Sequence, residues 1–166
     1  GDLIWEKENL RQSDAQVIPS NKTNPTGVLR LGSAGFNVNG NIIDKNTYFR
    51  QEIFGNFEWT ERIRRRKTPL QETFIKFRIR IDGKDKGEFN LRISHDTHRI
   101  ADQANIPTTI HWGDAIDIIR ESNILGKSLY LYSPTKGNKE PFFIDIEGET
   151  KTISDSPKTK KLDDFF

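Results

Sequence analysis

The chain has 166 residues, of which 33% are hydrophobic and 30% charged, and its mean hydropathy is −0.72. One domain of this length can bury a core without staples, and no apolar run approaches the ~20 residues of a membrane-spanning helix. Eleven Phe, three Trp and three Tyr at a net charge of only +2 exclude a disordered chain, and the absence of cysteine excludes disulfides, thiolate metal sites and a cysteine nucleophile.

Turn residues and periodicity divide the chain into short elements, mostly strands. Asn9–Gln16 is polar, with Ser13–Asp14 as capping residues, and the loop Ser20–Thr26 is dense in turn formers. Gly27–Leu31 reads as a short strand, Ser33–Gly40 as a Gly/Asn-rich connection, and the region around Tyr48–Ile53 as a helix. Phe57–Ile63 and Thr73–Ile81 read as strands on either side of a basic loop. Asp82–Gly87 is a hairpin turn, so Glu88–Ile93 returns antiparallel. Ser94–Pro107 is long, polar and aperiodic, and Thr108–Trp112 is a strand followed by an amphipathic helix over Gly113–Ser122. Leu129–Tyr132 and Phe142–Ile146 are the last strands. The expected organisation is a domain over residues 1–149 and a polar C-terminal tail over 150–166. At least seven strands with two short helices predict a mainly β, closed or nearly closed barrel.

Charge is uneven along the chain. Residues 56–112 hold twelve bases against eight acids, whereas 1–55 balance and 113–166 are slightly acidic. Arg62, Arg64, Arg65, Arg66 and Lys67 form a run, and Lys76, Arg78 and Arg80 alternate with Phe77, Ile79 and Ile81. Such a ladder is either a solvated strand face or a surface that meets a polyanion.

Catalysis finds little footing. His95-x-x-His98 with Asp96 and Asp102 offers metal-ligand types without a supporting context, so no metal site and no cofactor are expected. Ser94, His95 and Asp96 are adjacent in sequence, which does not bring their functional groups together as a triad, and no Gly-x-Ser-x-Gly or phosphate-binding loop is present. Two polar segments remain, Arg11–Thr26 and His95–Asn105. They are rich in the Arg, Asn, Gln and Asp side chains that pair with base edges in a major groove. Read from composition, they are equally compatible with ordinary surface loops.

Leu10-Arg11-Gln12-Ser13-Asp14-Ala15, and His111-Trp112-Gly113 followed by a helix and Leu125-Gly126-Lys127-Ser128-Leu129, resemble the plant B-three DNA-binding domain. A closer resemblance is to the C-terminal DNA-recognition domain of phospholipase-D-type restriction endonucleases. It rests on Ser13–Gln16, Asn24-Pro25-Thr26-Gly27, Tyr48-Phe49-Arg50, His95, Arg99, Gln103-x-Asn105 and His111-Trp112-Gly113. The resemblance implies a seven-stranded open pseudobarrel with two short helices, gripping double-stranded DNA with two major-groove arms that fall on the two polar segments. Candidate base contacts are Arg11, Asp14, Gln16, Asn21, Asn24, His95, Asp96, His98, Arg99, Gln103 and Asn105. Candidate phosphate contacts are Ser13, Lys22, Thr26, Arg64, Arg65, Arg66, Lys76, Arg78, Arg80 and Thr97. Trp112 and Gly113 are assigned to structure. The nuclease motif of such enzymes, His-x-Lys, does not occur here, so this chain is expected not to be catalytic itself. With no methionine at position 1, it is expected to be a piece of a longer protein. The implied parent is a dimeric type II restriction endonuclease of a prokaryotic cytoplasm, with its catalytic domain as a partner. The alternative reading is a β-rich protein- or carbohydrate-binding module.

Overall fold

The computed structural model describes residues 1–17, 26–65, 69–98 and 105–148. In chain order the elements are β1 (Leu3–Lys7), α1 (Gln12–Ala15), β2 (Val28–Arg30), β3 (Asn37–Val38) and β4 (Asn41–Ile42). A π-helical turn (Tyr48–Ile53), β5 (Thr60–Arg62), β6 (Leu70–Ile81) and β7 (Lys84–His95) follow. The chain then forms β8 (Thr108–His111), a 3-10 turn (Gly113–Ala115), α2 (Ile116–Glu121), β9 (Ser128–Tyr132) and β10 (Phe142–Glu147).

The frame is the β6–β7 hairpin. Twelve-residue strands meet at Asp82–Gly83, both at positive φ (49° and 80°), the geometry that a two-residue hairpin turn demands and that Asp-Gly supplies. Opposite Ile79 and Arg80 the partners are Gly87 and Asp85, so Lys86 is the extra residue of a bulge. Period-two alternation buries Ile75, Phe77, Ile79 and Ile81 from β6, and Leu91 and Ile93 from β7.

Around the hairpin the sheet runs β1-β9-β10-β6-β7-β8-β2, with β5 pairing the start of β6. β10 runs parallel to β6, and the other pairs in the sheet are antiparallel. The result is a mainly β, curled open sheet, consistent with the open pseudobarrel that the resemblance implies. Its two edge strands, β1 and β2, approach across the opening, where the Trp5 indole Nε1–H donates to the Gly32 carbonyl at 2.9 Å. Inside lie Trp5, Phe49, Phe54, Phe77, Leu29 and Trp112, all at most 1% exposed, with edge-on ring contacts such as Trp5–Phe49 at 5.7 Å.

Several boundaries differ from expectation. β1 and the small β3–β4 hairpin are additional strands, and Phe57–Ile63 shortens to Thr60–Arg62. The helix expected at Tyr48–Ile53 has π geometry. Tail residues 150–166 lie outside the described residues.

Candidate nucleic-acid interface

The face of the sheet turned away from the core is polar where β5, β6, β7, β8 and β2 pass one another. Register carries a common face across the ladders: Arg92 opposes Phe74 and His111, and His111 opposes Val28. In the next row Ser94 opposes Glu72 and Thr109, and Thr109 opposes Arg30. Arg92 donates through Nη1 to Glu72 Oε2 (3.2 Å) and through Nη2 to His111 Nδ1 (3.2 Å). A guanidinium can only donate, so His111 Nδ1 accepts and its proton sits on Nε2, which donates to Ser94 Oγ at 2.9 Å. Burial, then the Arg92 charge, with smaller contributions from Arg62 and Arg30, push the His111 imidazolium down to about 4. One neutral imidazole therefore sits among three arginines.

The first polar segment is fastened at its neck. Asp14 caps the first turn of α1, accepting the Arg11 N–H through Oδ2 at 2.9 Å, and binds Lys7 Nζ through Oδ1 at 2.9 Å. Gln16 ends α1 in the left-handed region (φ 58°) and is 2% exposed. Its amide donates to the carbonyls of Ser13 (2.7 Å) and Val28 (3.0 Å), and its Oε1 accepts the Gly27 N–H (2.7 Å). Gln16 thus ties the outgoing strand of the arm to the returning one. Asp14 and Gln16 were expected at base edges. Both are buried with their polar atoms engaged inside the fold, so they are corrected to structural fasteners. Arg11, Ser13 and Thr26 are exposed at the same neck, while Asn21, Lys22 and Asn24 lie outside the described residues.

The second neck is built the same way. His95 ends β7 pointing into the core side, 2% exposed, with Nδ1 bonded to Thr108 Oγ1 at 2.8 Å. Burial and the neighbouring Arg50 guanidinium push its pKa down to about 4, so it is neutral at physiological pH. Arg50 is held by Gln71 Oε1 at 2.9 Å and stacks 4.3 Å above the Trp59 ring. The Asp96 N–H donates to the Pro107 carbonyl at 3.0 Å and closes the loop. The Asp96 carboxylate accepts the His98 N–H (3.1 Å) and Arg64 Nη2 (3.2 Å). His95 and Asp96 are therefore also corrected from base contacts to neck residues. Thr97 and His98 are exposed beyond the neck, and Asn105 is half-buried with its carbonyl accepting Lys45 Nζ at 2.7 Å. Arg99 and Gln103 lie outside the described residues.

The necks stand at opposite ends of one short ladder. The first arm returns into β2 at Val28, opposite His111; the second returns into β8 at Thr108, whose carbonyl accepts the Leu31 N–H. Three residues of extended chain separate them, about 10 Å.

The basic residues divide into two groups. Arg64 is tied to Asp96 and Arg65 is exposed beside it, so this part of the basic run borders the second arm; Arg66 lies outside the described residues. Lys76, Arg78 and Arg80 run the other way along β6. Gln71 pairs with His95 at the neck, so Arg80 stands nine residues further on, about 30 Å away. Arg78 pairs with Asp85, and Arg80 pairs with the fully buried Asp145 at 3.1 Å. Arg80 is corrected from a phosphate contact to an ion pair that fastens β10, and Arg78 is held by an exposed ion pair within the hairpin, well along β6 from both arms. Lys76 is exposed midway, with its backbone N–H bonded to Glu140 at 2.7 Å.

Residues not expected at a site but gathered near the necks are Arg30, Arg62, Arg92, Ser94 and His111. The alternation of Leu91 and Ile93 with Arg92 and Ser94 was the available signal for the β7 members. Arg11 and Arg30 also line an open groove of about 600 Å3 at the seam between β1 and β2, with Lys7, Lys45, Glu6 and Glu8. Among the described residues no three His, Asp or Glu side chains cluster as a metal site, and no helix is long and apolar enough to cross a membrane. The chain matches no protein-family model, and neither a curated protein nor a solved structure is significantly similar to it.

Proposed function

We propose that this domain recognises double-stranded DNA in a sequence-specific way, with its two polar arms in the major groove, as the target-recognition part of a restriction endonuclease. The observation that carries the reading is the pair of fastened necks about 10 Å apart, with Arg30, Arg62 and Arg92 gathered on the sheet face beside them. A major groove is about 12 Å wide, so the spacing of the necks is of the same order as its width. Rigid necks also favour readout, because base recognition needs loops held in register by a scaffold.

On this reading Arg11, Asn21, Asn24, His98, Arg99, Gln103 and Asn105 remain the base-edge candidates. Arg30 and Arg62 hold phosphates, together with Ser13, Lys22, Thr26 and Thr97. Cleavage chemistry is assigned to another domain of the parent protein. Selection from a randomised duplex pool at moderate salt tests the proposal: a defined motif is expected, and no enrichment over background overturns it.

Phe74, 55% exposed on the same sheet face, favours a second reading as a protein- or carbohydrate-binding module. Salt separates the two, because DNA affinity falls steeply as salt rises and a stacking site hardly responds.

A further inference from the structure

The loop between β5 and β6 is not used by the two-arm reading, and four observations bear on it. It carries five cations in six positions, Arg62, Arg64, Arg65, Arg66 and Lys67, interrupted only by Ile63. Ile63 is 79% exposed, the most exposed of the large hydrophobic side chains among the described residues, although it sits in a loop attached to a well-packed sheet. The loop is also anchored: Arg64 Nη2 binds Asp96 Oδ2 at 3.2 Å, and Asp96 closes the neck of the second arm. Arg62, at the end of β5, is on the His111 side of the sheet, within electrostatic reach of that imidazole.

An apolar tip set among arginines is poorly matched to water and well matched to one surface of duplex DNA. The minor groove focuses negative potential, which draws arginine, and its floor and base steps accept an inserted aliphatic side chain. A groove filled by one protein element is bordered by a phosphate strand, and beyond that strand lies the adjacent minor groove. A loop tied to the root of the second arm is placed to meet that border.

Resting on the DNA-recognition reading above, we propose that the β5–β6 loop is a third DNA contact. It enters the minor groove flanking the segment read by the second arm, with Arg65 in the groove and Ile63 against a base step. This contact reads groove width and deformability rather than base edges, so it adds a flanking preference to the core motif. Only one end of the site is touched, which makes the preference one-sided.

The test is selection of the full chain on a randomised duplex pool, repeated with Arg65→Ala and Ile63→Ser. Both side chains are exposed, so neither change removes a core contact. The wild type is expected to enrich a core motif with A·T pairs on one side. Both variants are expected to keep the motif and lose the flanking bias, and Arg65→Ala is expected to reduce the salt slope by about 1. A core motif with unbiased flanks, or a bias that survives both substitutions, overturns the third contact and leaves the two-arm reading standing. No core motif at all overturns the two-arm reading and this proposal with it.

Discussion

Gln16 shows how much a single side chain carries. Its amide and carbonyl hold three backbone groups across the neck of the first arm, all within 3.0 Å. Gln16→Ala leaves the Gly27 N–H and the Val28 carbonyl without their partner in a buried setting, an expected loss of about 2–3 kcal/mol. Urea unfolding checks this. A base-reading glutamine would instead lose affinity with its unfolding midpoint unchanged. His95 and His111 give a second test at the same scale. Both are held neutral, with pKa values near 4 in the fold against 6.5 unfolded, so the unfolded chain binds more protons between those values. Their contribution to stability is complete above about pH 6.5 and is lost as pH falls towards 4. The urea midpoint should fall as pH is lowered from 6.5 to 5, and a His95→Gln, His111→Gln double variant should be flatter over that window. An equal slope in both proteins would show that the imidazoles do not carry it.

At the scale of elements, the β6–β7 hairpin is where sequence and structure agree best. Strict alternation over Thr73–Ile81 and the Asp82-Gly83 pair leave little choice, since a one-residue slip would turn Phe77 and Ile79 to water. Gly83→Ala tests the turn directly. A Cβ there meets no atom within 4 Å, so the expected cost of about 1 kcal/mol comes from φ alone, at +80°. Thermal unfolding measures it. β1 was invisible for a physical reason: of Leu3–Lys7 only Trp5 is buried, and the ladder to β9 shifts register between Leu3 and Trp5, so no alternation is written in the sequence. The arms show a different limit. Polar side chains that cap, bridge and pin a loop are the same types that read bases, so composition locates the segments but cannot separate Gln16, Asp14 and His95 from residues free to meet a ligand. Tertiary partners make that distinction: Val28 and Gly27 for Gln16, Lys7 for Asp14, and Thr108 for His95.

For the whole molecule, a net charge of +2 understates the field a ligand would meet, because the charge is sorted in space. Arg78 and Arg80 are spent on Asp85 and Asp145 along the far half of the hairpin, while Arg30, Arg62 and Arg65 stand at the necks. The basic strand that is plainest in the sequence thus lies away from the proposed interface. The isolated Arg30, in a three-residue strand, is a cation that the proposal uses instead. This sorting makes a comparison of salt dependence decisive. Each phosphate neutralised contributes about −0.9 to the slope of log affinity against log salt on duplex DNA. Arg30→Ala should therefore weaken binding to all sequences alike and reduce the slope by about 1. Arg78→Ala should leave the slope unchanged, because its guanidinium already faces Asp85 and stands well along β6 from both arms. Titrations of both variants against one duplex at several salt concentrations measure the difference. Equal slopes for Arg30→Ala and the wild type would remove the β2 edge from the interface.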